Sequence, residues 1–203
     1  MNPISRKVFE LSEQQIRFEK TAQIIAHWIA LSDAADPGTI PMFDPMGVPG
    51  LLPYVYLLQR DGERFRYRVS GEEVNRLFGS NHTGRYLDDV VPVEIYPEVA
   101  PYFFKVLDGN ICVLKGFVLL PGQEHLEFER VLLPVERKGE IQLLGTLSLS
   151  SNSPLRHDRS PPAAPDPGFH FYLLDLSSGG VQADHKNLLP LADRYSLSKG
   201  FQS

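Results

Sequence analysis

The sequence predicts an α+β protein built around an antiparallel sheet. Three observations carry that prediction. An apolar stripe at helical spacing opens the chain, a strand pair follows around Asp61-Gly62, and three further strand segments come only after a run of short helices. Helices and strands do not alternate in the βαβα manner of a doubly wound parallel sheet.

The opening helix is read from Phe18, Ala22, Ile25 and Ile29, with Ser12 and Gln15 ahead of them as a capping box. Ile24, Trp28 and Leu31 widen the stripe, so a sheet or a second subunit must cover it. It is expected to cover the outer sheet face or to make a homodimer contact. Pro37, Gly38 and Pro41 end it, and residues 41–53 read as an ordered connector.

The segment YVYLLQRDGERFRYRVSG gives two strands around the Asp-Gly turn. Phe65, Tyr67 and Val69 alternate with Arg64, Arg66 and Arg68, one face apolar and the other wet or partner-facing. Gly71 closes the strand, and EEVNRLFG makes two helical turns capped by Gly79. TGRYLDDV makes another short turn. Pro101 is placed in the first turn of a longer helix carrying Tyr102, Phe103, Val106 and Leu107. Then come ICVLKGFVLL, EHLEFERVLLPVER and EIQLLGTLSLS, parted by Pro121-Gly122 and Lys138-Gly139. Leu126 and Phe128 alternate with Glu127 and Glu129, the pattern of a strand with one polar face.

The domains read as 1–40, N-terminal helix and connector; 41–152, the core; 153–168, a linker with five prolines; and 169–203, a C-terminal tail.

Composition narrows the function. A net charge of −5 argues against a nucleic-acid footprint. No apolar run reaches the roughly 18 residues of a membrane span. The N-terminus has no signal-like apolar region, and the single cysteine allows no internal disulfide, so a reducing cytoplasm is expected. Nucleotide-loop, zincin and nucleophile-elbow motifs are absent, and the six histidines show no metal spacing. Cys112 reads as a buried inert thiol, and Glu127 with Glu129 as a solvated face rather than a catalytic pair. The aromatic residues Tyr67, Phe78, Tyr86, Tyr102, Phe103 and Phe128 fit either a filled core or an apolar pocket.

Taken in order, Trp28, Pro41, Asp44-Pro45, LLPYVYLL, FRYRVSG, LFG, TGRYL and the three terminal strands resemble a PAS domain. The likeness is to the compact bacterial PAS subfamily long catalogued as a domain of unknown function, over roughly residues 20–150. It implies a five-stranded antiparallel sheet with short helices on one face and an N-terminal helix. It also implies sensing or protein interaction rather than turnover. The cramped stretch RYRVSGEEVNRLFGSNHTGRYLDDV then becomes a cavity wall. The ligand-facing candidates are Tyr67, Asn75, Phe78, His82, Tyr86 and Phe103. The flavin cysteine motif of light-sensing relatives is missing, and residues 93–110 hold no histidine for haem, so no cofactor is expected. The implied protein is a stand-alone module, not an enzyme, that regulates a signalling partner on binding a small molecule.

An alternative comes from FYLLDLSSGGV, which resembles the D-x-S-x-x-G motif of cyclic-di-GMP-binding PilZ domains through Asp175, Ser177 and Gly180. Arg156 and Arg159 stand for the upstream arginine pair, but at RxxR rather than RxxxR spacing, and too little chain follows for a barrel.

Overall fold

Asn2 begins the chain's first helix, because its side chain accepts a hydrogen bond from the Ser5 amide at 2.7 Å and Pro3 fills the first turn. The structure, a computed structural model, describes residues 1–119, 125–150 and 169–186. Helix α1 spans Pro3–Gln15 and α2 spans Glu19–Ala34. The expected single helix is thus two. Ser12 does not cap a helix start: it is buried in the last turn of α1, where its carbonyl accepts from the Ile16 amide at 2.9 Å. The chain extends at Ile16 and Phe18, both fully buried, and these apolar anchors set the corner between the helices.

Strands β1 (Val55–Asp61) and β2 (Arg64–Ser70) form the expected hairpin. Gly71 then passes against the preceding connector, where a Cβ would lie 2.3 Å from the Pro53 carbonyl oxygen. Helix α3 (Glu72–Phe78) ends on Gly79 at φ 72°. The chain next runs along the free edge of β2, the Tyr67 amide donating to Arg85 and the Gly84 amide to Tyr67. Helix α4 (Tyr96–Leu107) starts one turn earlier than expected, with Pro97 rather than Pro101 in its first turn. Pro101 lies inside the helix.

Strands β3 (Asn110–Leu119), β4 (His125–Arg137) and β5 (Glu140–Thr146) follow, and β6 (Ser148–Leu149) pairs with β4. The expected five strands run β2-β1-β5-β4-β3, all antiparallel. The sheet is larger than that, with eight strands among the described residues. Residues read as a tail form β7 (Phe169–Asp175), which pairs with β3, and β8 (Val181–Lys186), which pairs with β7.

Each sheet face carries its own core. On the outer face Val8, Leu11, Ile24, Ile25, Trp28 and Ile29 of the helix pair cover Leu57, Val113, Val131, Leu133 and Leu144. The apolar stripe therefore covers the chain's own sheet, one of the two roles expected of it. On the inner face α3 and α4 pack Val74, Val99, Phe103 and Val106 over Tyr56, Tyr67, Leu114, Leu132 and Leu143. Strand β4 serves both cores, and this corrects the solvated face expected for its glutamates. Glu129 is 1 % exposed because α1 and α2 lie over it. Its carboxylate accepts from the Arg17 amide at 2.7 Å and the Phe18 amide at 3.4 Å, tying the helix corner to the sheet.

Candidate functional site

The inner face brings some of the predicted residues together and leaves others apart. Tyr67, on the apolar side of β2, is 1 % exposed, and its ring centre lies 5.6 Å from that of His82. His82 is buried where the chain turns back beside β2. Burial, then the neighbouring Arg85 cation, lower its pKa to about 4, so it is neutral near pH 7. Its Nε2 lies 3.2 Å from the Ser80 hydroxyl.

Asn75 holds this turn. Its Oδ1 accepts from the Ser70 hydroxyl at 2.6 Å and the His82 amide at 3.2 Å, and its Nδ2 donates to the Ser70 carbonyl. Phe103 is buried against Phe65, ring centres 5.7 Å apart. The side chain of Phe78 lies outside the described residues. Tyr86 stands apart from the group. Its hydroxyl donates to Asp61 at 2.8 Å and its ring lies beneath Arg64 at 3.8 Å, on the polar side of β2.

Two residues that the sequence reading did not single out sit at the middle of this face. Arg130, on β4, is 8 % exposed, with its guanidinium carbon 5.8 Å from the ring centre of Tyr56 and 5.9 Å from that of Phe103. Its buried Nε–H has no acceptor, and no carboxylate pairs with it among the described residues. Tyr56 is 1 % exposed and its buried hydroxyl likewise has no partner there. Burial raises the Tyr56 pKa far above the ordinary phenol range, with Arg130 opposing. Cys112 shares this core, and burial pushes its thiol up to about 12, so it is a neutral, unreactive group. A signal for Arg130 exists in the sequence: it falls in phase with Phe128 and Leu132, on the apolar side of the strand's alternation.

The tail motif is a turn in the β7–β8 hairpin. The Asp175 carboxylate accepts from the Ser177 amide and hydroxyl, at 2.8 Å and 2.7 Å, and from the Ser178 hydroxyl at 2.9 Å. These bonds hold its pKa down to about 2. The Gly180 carbonyl accepts from the Asp175 amide. Arg156 and Arg159 lie outside the described residues. A cavity of about 510 Å³ opens beside this turn, lined by Trp28, Ser32, Asp36, Asp108, Asp175 and Ser177 among others. It is far from Tyr67 and His82, and three carboxylates on its rim oppose an anionic nucleotide. This lining shares no residue with the inner-face group, where the buried polar side chains are the guide to recognition. Among the described residues no three metal-ligating groups cluster, and no helix is long and apolar enough to cross a membrane.

The strand order, the short helices on one face and the polar interior beneath them fit the resemblance seen in the sequence. The family profile described as PAS domain matches residues 16–148, more than half of the chain. The chain belongs to the PAS family. No curated protein and no solved structure matches it. PAS membership makes the chain a sensory or interaction module in general terms, and the described PAS sheet carries the β7–β8 hairpin beyond its five central strands.

Proposed function

We propose that this PAS domain senses a small molecule on the inner face of its sheet and passes the signal on by changing its contacts with a partner protein. One observation carries the reading. Tyr56, Tyr67, His82 and Arg130 are polar side chains buried among apolar ones, beneath α3 and α4. A core built for stability alone would use apolar residues there, since each buried polar group costs free energy unless it is paired. Binding sites combine apolar walls with a few placed polar groups. Here Phe65, Phe103 and Leu114 supply the walls.

The test joins native mass spectrometry of the purified protein, for retained ligand and subunit count, with fragment screening by NMR. Binders should shift the amides of Tyr67, Asn75, His82 and Val99. Tyr67→Phe combined with His82→Ala should weaken them while the fold persists. Fragments that shift only the Asp175–Gly180 turn would move the site to the tail. Silence at millimolar concentration would leave a packed interaction scaffold.

A further inference from the structure

We infer that Arg130 and Tyr56 form the anion-receiving end of this site, and that its ligand is a small organic acid with one carboxylate on an apolar body. The inference rests on the reading that the inner face binds a small molecule, and it names the class of that molecule.

Arg130 brings a guanidinium cation into a core of apolar and aromatic side chains. Removing such a charge from water costs several kcal/mol unless an anion and full hydrogen bonding compensate. The rings of Tyr56 and Phe103, at 5.8 Å and 5.9 Å, give partial compensation through their faces. No carboxylate of the described residues supplies the rest. The Tyr56 hydroxyl, buried and unpaired on the ring that the guanidinium faces at 5.8 Å, can donate to the same anion.

Gly145 makes this placement feasible. It pairs with Tyr56 across β1 and β5, and a Cβ there would fall 2.1 Å from a Tyr56 ring carbon. The tyrosine ring thus lies over bare backbone, in space that a side chain would otherwise fill.

Charge and shape select among anions. One guanidinium balances one negative charge, and its planar fork matches a carboxylate by two parallel bonds. A phosphate near pH 7 would leave uncompensated charge among Leu114, Leu132, Phe65 and Phe103. Those walls instead suit an aromatic or short aliphatic body. With Arg130 only 8 % exposed, there is room for a small ligand alone.

The experiment uses the whole chain with benzoate, its neutral counterpart benzamide, inorganic phosphate and sodium chloride as probes. Thermal unfolding and the NMR signal of the Arg130 side-chain Nε–H are both followed. Benzoate should raise the melting temperature and move the Arg130 signal, and the other probes should do neither. Arg130→Met should fold, since an apolar replacement for an unpaired buried charge is tolerated, and should bind benzoate about a hundredfold less tightly or worse. Tyr56→Phe keeps the ring and should lose about tenfold. Benzoate binding unchanged in Arg130→Met, or phosphate binding in place of benzoate, overturns the inference. Benzamide shifting inner-face amides while benzoate is silent also overturns it, yet leaves the sensory reading intact. If no probe or fragment reaches the inner face, both fall.

Discussion

The guanidinium carbon of Arg130 stands 5.8 Å from the ring centre of Tyr56, and that ring lies directly against Gly145 on the neighbouring strand. Three residues from three strands are therefore stacked by size as well as chemistry. Gly145→Ala should push the ring aside and cost about 1–3 kcal/mol of stability. In a double-mutant cycle, Tyr56→Ala should remove most of that cost, because the clash then has no partner. Urea unfolding of the four proteins measures it, and additive effects would show that the alanine is accommodated elsewhere.

The Glu129 contribution to stability should fall as pH rises from acid toward neutral, against that of buried His82, which rises over nearly the same range. Burial is the largest influence on Glu129 and raises its pKa from 4.5 to about 7, against the amides of Arg17 and Phe18 that favour the charged form. The folded protein holds this proton after the unfolded chain has lost it. The contribution is complete below pH 4.5 and lost as pH rises through about 7, on the order of 3 kcal/mol. Glu129→Gln has no proton to release, so the variant should gain stability relative to the parent as pH rises. Urea melts at about pH 5 and about pH 8 compare the two, and parallel slopes would assign the pH dependence to other groups.

Trp28 is the one tryptophan of the chain, so its fluorescence reports on the helix pair directly. It is 1 % exposed, and its Nε1 donates to the Pro134 carbonyl of β4 at 2.8 Å. Trp28→Ala should cost about 3–5 kcal/mol, and deleting residues 1–34 should expose the outer apolar face and destabilise the domain. A truncated protein that melts like the full chain would show that the sheet needs no such cover.

Strong periodic signals made the central fold legible. The Asp61-Gly62 hairpin, Gly79 as a helix stop and the three later strands follow from turn chemistry and alternation alone. The α1–α2 break was hidden, because Ile16 and Phe18 are apolar anchors that look like helix interior. Strand β7 was hidden because a pairing with β3, far away in the sequence, leaves no local mark, and β8 is joined to the sheet only through β7. The inner-face burial of Tyr67, His82 and Phe103 was legible from phase and turn position. Glu129 and Arg130 were misread or missed for one reason: alternation says which residues share a face, and not whether a later helix or core will cover it.

Helix α4 holds the added hairpin through Tyr102. Its ring stacks on Phe171 with centres 3.8 Å apart and planes at 12°, and its hydroxyl donates to the Asp184 carboxylate. Lys186 pairs with Glu98 of the same helix at 2.7 Å. Tyr102→Phe keeps the stack and should cost about 1 kcal/mol, felt mostly as faster amide exchange along β8. Exchange that changes equally across all strands would mean the hairpin opens only with the whole sheet.

One peptide bond joins Glu129 to Arg130, and the two side chains serve opposite sides of a single wall. Glu129 grips the amides of Arg17 and Phe18 at the helix corner, while Arg130 faces the opposite core. The amino-terminal helices and the inner face are therefore a single residue step apart, with no relay of side chains between.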